Sequence, residues 1–245
     1  MNRPAERLKT VIKNIFFRTL STFSIFEKFA RSYLLHHRTV GVTFVDEKRR
    51  VWLDLIKRAY EQDGRPWMVP YESYVLLMAV DSVQKLSGFF AEVGVFRGGS
   101  AELICELKGD RPLHLFDSFE GLPEPGGLDS SSEFYQGRFS DTGYRQVCDR
   151  LAGYKNVFVH QGWFPETADC VKNDEFCLVH IDVDLYETTR SALEFFYPRM
   201  VPGGVIISHD YVTADGVRKA VDEFCADKCA PVLVVSDTQC LIVKT

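Results

Sequence analysis

The stretch from Phe176 to Glu187, Phe-Cys-Leu-Val-His-Ile-Asp-Val-Asp-Leu-Tyr-Glu, limits what this chain can fold into more than any other. Six mostly apolar residues run without a break into two carboxylates, Asp182 and Asp184. An apolar run bounded in this way reads as a strand covered on both faces, the condition of a parallel sheet in an α/β protein. The carboxylates then fall at the carboxyl end of that strand, where open α/β sheets bind their ligands. Two acids this close repel each other. A cation, or a proton to be abstracted, is the natural reason for placing them together.

From Gly88 onward the chain repeats the same texture. Phe89 to Val93 is a short buried strand, followed by a Gly-rich turn and a helix from Ser100 to Leu107. Pro112 to Phe116 is a second strand ending at Asp117. Residues 119–143 are dense in Gly and Pro and read as a long loop, and a loop of that length in a compact domain is usually a lid or a binding segment. A short helix from Arg145 to Leu151 leads to a third strand, Val157 to His160, and then to Gln161-Gly162-Trp163. Phe176 to Ile181 is the fourth strand, with a helix from Glu187 to Tyr197 behind it. Pro202-Gly203-Gly204 reads as a turn into a fifth strand, Val205 to Ser208, which ends at His209-Asp210. A helix from Asp215 to Ala226 follows. Two apolar runs, Pro231 to Val235 and Cys240 to Lys244, flank Ser-Asp-Thr-Gln as a β-hairpin. Five β–α units closed by a hairpin is more than an ordinary dinucleotide fold requires.

The first 86 residues read as a helical extension to a domain over 87–245. Residues 1–40 carry eight Lys/Arg against Glu6 and Glu27, a net of +6, so the remainder of a chain at −5 holds −11. That acidic body argues against nucleic-acid binding. Apolar residues from Leu8 to Leu34 follow a helix face with the basic residues around it. The preferred reading is an arm that covers the substrate site or packs on a second subunit in a homo-oligomer; the other is a peripheral membrane contact. Glu47 to Tyr60 is a second amphipathic helix, ended by Asp63-Gly64-Arg65-Pro66, and Tyr71 to Leu86 is a third. Both read as preamble to the functional domain. No apolar run reaches the roughly 18–20 residues of a spanning helix. The seven cysteines form no tight framework and read as reduced thiols of a cytoplasmic protein. Cys225 and Cys229, one helical turn apart, read as two small apolar residues rather than a metal pair.

The chemistry gathers at the strand ends. The turn after the first strand, Glu92-Val-Gly94-Val-Phe-Arg-Gly98-Gly99-Ser100, lacks the G-x-G-x-x-G spacing of a dinucleotide site. An acid beside bare backbone suits a ligand with amino-acid and sugar groups instead; the alternative is a plain Gly-rich turn with Glu92 paired to Arg97. Asp117, at the tip of the second strand, is placed to accept both hydroxyls of a ribose. Taken together, Glu92 and Asp117 favour adenosine recognition. Asp182, Asp184, His209 and Asp210 share one small volume if the fourth and fifth strands are neighbours. Carboxylates with an imidazole make an oxygen/nitrogen metal site, with Asp182 as ligand and Asp184 as a base.

These motifs resemble, in order, those of the macrocin O-methyltransferase (TylF-like) family. They are Glu92-Val-Gly94-Val-Phe-Arg-Gly98-Gly99, Phe116-Asp117-Ser-Phe-Glu-Gly-Leu-Pro123, Gly162-Trp-Phe164, Asp182-Val-Asp184-Leu-Tyr-Glu187, Tyr197-Pro198 with Pro202-Gly203-Gly204, and His209-Asp210-Tyr211. The resemblance covers about Gly88 to Thr245. It implies a Rossmann-like class I methyltransferase fold, with a seven-stranded, mostly parallel sheet whose last strand is antiparallel. It also implies an S-adenosylmethionine-dependent O-methyltransferase acting, with Mg²⁺, on a sugar hydroxyl of a glycan, polysaccharide or glycosylated natural product. Carried over by position, Glu92, Gly94 and Ser100 would line the methionine end of the cofactor. Asp117 and Ser118 would lie at the ribose, and Gly162 and Trp163 at the adenine. Asp182, His209 and Asp210 fall on the metal positions and Asp184 on the catalytic base. The family has two acids where this chain has His209-Asp210. Mg²⁺ prefers oxygen, whereas imidazole suits Mn²⁺, Fe²⁺ or Zn²⁺.

Two other classes remain open at this point. Asp182-Val-Asp184 is also the D-x-D spacing of metal-dependent glycosyltransferases, a reading that leaves Glu92 and Asp117 unexplained. A non-catalytic cofactor-binding scaffold is the other, and His209 is the residue that leaves room for it.

Overall fold

The computed structural model describes residues 47–63, 68–129 and 133–245. The arm expected over residues 1–40 and the turn at 64–66 lie outside the described residues. Two helices come first, α1 (Glu47–Asp63) and α2 (Pro70–Ser82). Trp52, Leu55 and Ile56 of α1 are buried, and the Trp52 ring meets Tyr74 of α2 at 5.6 Å.

The domain that follows alternates as its apolar periodicity requires. Its elements are β1 (Phe89–Val93), α3 (Gly99–Lys108), β2 (Leu113–Asp117), α4 (Tyr144–Leu151), β3 (Val157–Gln161), β4 (Phe176–Ile181), α5 (Tyr186–Phe196), β5 (Met200–Ser208), α6 (Asp215–Cys225), β6 (Val232–Val234) and β7 (Cys240–Val243). A 3₁₀ helix at Glu166–Val171, absent from the sequence reading, fills the connection from β3 to β4. The seven strands form one sheet in the order β3-β2-β1-β4-β5-β7-β6. Pairs from β3 to β5 are parallel; β7 runs antiparallel to both β5 and β6. β1 has β2 on one side and β4 on the other, so the winding of the chain reverses there. That is the switch point at which such sheets open a crevice beyond their carboxyl ends.

β4 is buried at every position, as a strand covered on both faces must be. Ala91, Val93, Val179, Ile181, Ile206 and Phe196 sit in a buried apolar cluster on one face, where α5 packs against α6. α2 packs against α3. Among the described residues, no helix is long and apolar enough to cross a membrane.

One expected turn is not a turn. Pro202-Gly203-Gly204 lies inside β5, which starts at Met200. Phe176 pairs with Met200 and Leu178 with Val205, so β5 carries the extra residues as an irregularity against β4. Gly203, at φ +80°, makes it affordable. The Gly203 N–H donates to the Lys244 carbonyl at 2.7 Å, and the Lys244 N–H donates to that of Gly204 at 2.9 Å. Ladder partners on β7's side therefore override the local turn signal.

Candidate active site

At the β1–β2 edge, backbone is pressed against backbone. Gly94 stands at φ +83°, and a Cβ there would lie 1.8 Å from the carbonyl oxygen of Asp182. Only glycine lets β1 end this close to the chain leaving β4. The Asp182 N–H donates to the Val93 carbonyl at 2.9 Å and locks the same junction. Asp117 then organises the turn. Its Oδ2 accepts the N–H groups of Val95 and Phe96, both at 2.8 Å, and its Oδ1 accepts that of Phe119 at 2.7 Å. A carboxylate has about four acceptor positions, so three filled by backbone leave one for a ligand. The expectation that Asp117 receives both hydroxyls of a ribose is thereby narrowed to one.

Glu92 is placed otherwise than expected. It is fully buried and absent from the cavity wall, and its Oε1 is 2.7 Å from His180 Nδ1 on the neighbouring strand. The in-register pairing of Glu92 with His180 across β1 and β4 causes this. Nor does Glu92 meet Arg97, which pairs with Asp141.

At the β4–β5 edge, side chains are pressed together instead. β4 and β5 are parallel neighbours, with Ile181 opposite Ser208, so the residues that follow each strand meet. His209 Nδ1 lies 2.9 Å from Asp210 Oδ2 and 3.3 Å from Asp182 Oδ1. One donor atom from each of Asp182, His209 and Asp210 falls within 4.8 Å of the others. Thr213 Oγ1 donates to the second oxygen of Asp210 at 2.8 Å. Asp184 and Asp210 both adopt the left-handed conformation, at φ 62° and 57°, which Asp tolerates better than most residues.

Protonation at this edge follows from crowding. Burial, then the Asp182 and Asp210 charges, push Asp184 well above the usual carboxylate range. Burial also raises Asp182, against the opposing pull of His209. Burial would lower His209, but the charge of Asp182, the hydrogen bond of Asp210 and the nearby Glu72 carboxylate outweigh it and hold the imidazole well above its ordinary value. Asp210 ends below its ordinary value, because the hydrogen bond and charge of His209 overcome its burial.

The two edges share one cavity of about 490 Å³. Gly94, Ser100, Asp117, Ser118, Gly162 and Trp163 line it together with Asp182, Asp184, His209 and Asp210, so of the expected site residues only Glu92 stays outside. Its volume falls within the usual range of small-molecule sites, about 300–1,000 Å³. Gly162 takes φ +135°, and Trp163 is 39% exposed at the rim. The Gly162 N–H donates to the Asp117 carbonyl at 2.9 Å and ties that wall to β2.

Sequence reasoning missed three participants. Glu72 of α2, taken as part of a preamble, lines the cavity beside His209. Arg138, from the long loop, lines it too and lies near enough to Asp184 and Asp210 for its charge to lower both. Asp129 fixes that loop: it is 6% exposed, and its Oδ1 accepts the Tyr186 N–H at the start of α5 at 2.9 Å. The Gly/Pro-dense segment is therefore anchored to the helix behind β4. Glu72 and Asp129 each satisfy a backbone N–H three residues away, so nothing near them in the sequence points to the distant partner.

A methyltransferase family fits this edge-to-edge division, and comparison with known proteins identifies it. The model of the family described as Macrocin-O-methyltransferase (TylF) matches residues 28–241. The chain belongs to the macrocin O-methyltransferase (TylF) family. Like its relatives, it is an S-adenosylmethionine-dependent O-methyltransferase. It is 31% identical over 185 residues to the 8-demethyl-8-(2,3-dimethoxy-alpha-L-rhamnosyl)-tetracenomycin-C 4'-O-methyltransferase of Streptomyces olivaceus, spanning 66% of this chain and 70% of that one. To the demethyldecarbamoylnovobiocin O-methyltransferase of Streptomyces niveus it is 26% identical, over 66% of this chain and 71% of that one. The solved structure of the O-methyltransferase NovP shares the fold with a TM-score of 0.62, at 23% identity, over 72% of this chain and 81% of that one. That of the calicheamicin methyltransferase CalS11 does so at 0.58, with 19% identity, over 81% and 93%. Membership sets aside the D-x-D glycosyltransferase alternative.

The donor set suits a divalent ion. Two carboxylates and an imidazole nitrogen converge, and the other imidazole nitrogen of His209, Nε2, faces a further carboxylate, Glu72. A carboxylate behind a ligating histidine is the arrangement that orients the ring and fixes its tautomer.

Proposed function

We propose that this enzyme methylates a sugar hydroxyl on a glycosylated small molecule or glycan, assisted by a divalent ion. The convergence of Asp182, His209 and Asp210 beside Asp184, opposite the Gly94–Asp117 turn in one cavity, carries this reading. The names of the tetracenomycin and novobiocin relatives support the acceptor class, because the first denotes 4'-O-methylation of a rhamnosyl-bearing tetracenomycin.

S-adenosylmethionine, when bound, supplies a methyl group on a cationic sulfur. Gly94 and Ser100 would hold its methionine end, Asp117 and Ser118 its ribose, and Gly162 with the Trp163 ring its adenine. Asp182, His209 and Asp210 would hold the ion, which supplies Lewis acidity that lowers the pKa of an acceptor hydroxyl. With one nitrogen among the donors, Mn²⁺, Fe²⁺ or Zn²⁺ suits the set better than Mg²⁺.

Asp184 would take the proton from the acceptor hydroxyl that receives the methyl group. Its raised pKa matches it to that task, since a base titrating nearer the working pH is the more effective one. Arg138, on the anchored loop, balances the acids across the cavity. All seven cysteines are free, which supports a cytoplasmic setting. The residues 1–40 segment keeps its two readings, an arm over the acceptor or a second subunit and a membrane-surface contact.

The test is transfer of labelled methyl from S-adenosylmethionine to a panel of glycosides, phenols and carboxylic acids with Mg²⁺ or Mn²⁺ supplied. Label on a sugar oxygen is expected. Label on phenols or carboxylates alone would overturn the acceptor class. Activity that survives exhaustive chelation would overturn the ion.

A further inference from the structure

Glu72 is an expensive residue for the place it occupies. It is 3% exposed, on a helix whose other buried residues, Ser73 apart, are hydrophobic. As third residue of α2 it caps the helix, with the Val69 N–H donating to Oε2 at 2.6 Å. A cap of that kind works at the surface, and burying a carboxylate costs free energy unless it is paired. A second bond comes from far along the chain: the Thr238 hydroxyl, in the turn between β6 and β7, donates to Oε1. Both carboxylate oxygens are thus fixed before His209 is considered.

His209 supplies the reason. Its Nδ1 faces Asp182 and Asp210, while its Nε2 is buried with no close hydrogen-bond partner. Glu72 Oε2 stands 3.5 Å from that Nε2, a small closure short of a bond. A ligating imidazole must offer a lone pair from one nitrogen and a proton from the other. Which nitrogen does which is set by the partner of the one that does not ligate.

We propose that Glu72 is the positioning residue of the ion site: it accepts the Nε2 proton of His209 and so directs the Nδ1 lone pair to the ion held with Asp182 and Asp210. The proposal rests on the divalent-ion reading above. It explains how an imidazole works among these carboxylates, because a further carboxylate stands one layer outward, on α2. It also makes Thr238 part of the site, since that hydroxyl fixes the orientation of Glu72.

The test uses the full chain without S-adenosylmethionine and follows Mn²⁺ binding through the spectroscopic signal of the free ion. The parent is expected to bind. Glu72→Leu is expected to bind about 10–100-fold more weakly, the usual cost of losing such an outer partner. Glu72→Gln, whose amide oxygen still accepts from Val69 N–H and from Nε2–H, is expected to lose less. Parent-like affinity in a folded Leu variant would overturn the role of Glu72 alone. Failure of the parent to bind Mn²⁺ or Zn²⁺ would overturn the ion reading and this proposal with it. Nitrogen-15 NMR of the Zn²⁺-loaded parent needs no variant: a proton on His209 Nε2 is expected, and a proton on Nδ1 overturns the assignment.

Discussion

The two halves of the sheet's carboxyl edge are built by opposite means. At β1–β2 the carboxylate of Asp117 is surrounded by backbone N–H donors, and the turn it braces is complete without any ligand. At β4–β5 the carboxylates of Asp182, Asp184 and Asp210 face one another, and His209 is the cation that moderates them. The first half is preorganised, the second is loaded. A cofactor shared by a whole family calls for a rigid cradle, whereas proton abstraction calls for a group held away from its preferred state.

The largest break in that comparison is Asp184→Asn. It leaves the β1–β2 turn untouched and removes the proposed base. Turnover should fall by about 10²–10⁴, the usual contribution of a positioned base, while S-adenosylhomocysteine binds as before. Turnover within threefold of the parent would return the base to another group.

Gly94→Ala strikes the other half. The new methyl meets the Asp182 carbonyl and the residue must hold a positive φ. Backbone strain alone costs about 1–2 kcal/mol, and the clash adds to it. A melting temperature lowered by more than about 5 °C is expected, with loss of S-adenosylhomocysteine binding. An unchanged melting temperature would show that the β1–β4 junction is looser than described.

Asp117→Ala sharpens the claim that this half is finished without a ligand. Three backbone N–H groups lose their acceptor, at a cost of about 1–3 kcal/mol. In the parent, S-adenosylhomocysteine at 100 times its dissociation constant should stabilise by about 2.7 kcal/mol. That rise in melting temperature should vanish in the variant. A full rise would mean that Asp117 braces the turn and nothing more.

The same contrast explains what was legible in the sequence. β4 was legible because burial on both faces demands an unbroken apolar run, and the terminal hairpin because two alternating runs flank a polar tetrapeptide. Gly94, Asp117, Asp182 and Asp184 were legible because each stands at a strand end, where position alone predicts exposure to the crevice. Glu92 was misplaced because its neighbour, His180, lies on a strand 88 residues away. Asp129 caps a helix that begins 57 residues later, so its loop read as a lid. Glu72 was hidden in an apolar helix pattern that gives no sign of a partner beyond β5. Local chemistry reads directly; a polar residue whose partner is far along the chain does not.

The smallest expected effect is the most specific to the loaded half. Asp184→Asn, expected to cut turnover, should also raise the stability of the ion-free protein. A carboxyl group whose pKa is raised on folding contributes stability below its unfolded value of about 3.9. That contribution is lost as the pH rises through the raised folded value, so above the unfolded value the group opposes folding. Asparagine carries no charge and accepts the left-handed backbone at this position as readily as aspartate. The melting temperature should therefore rise by about 2–4 °C for each kcal/mol relieved. The gain should be largest at neutral pH and fade towards pH 4, where the parent is protonated as well. A gain that did not depend on pH would come from packing and not from charge. Equal stabilities at every pH would mean that Asp184 is not loaded at all, and the contrast between the two edges would fail at the proposed base.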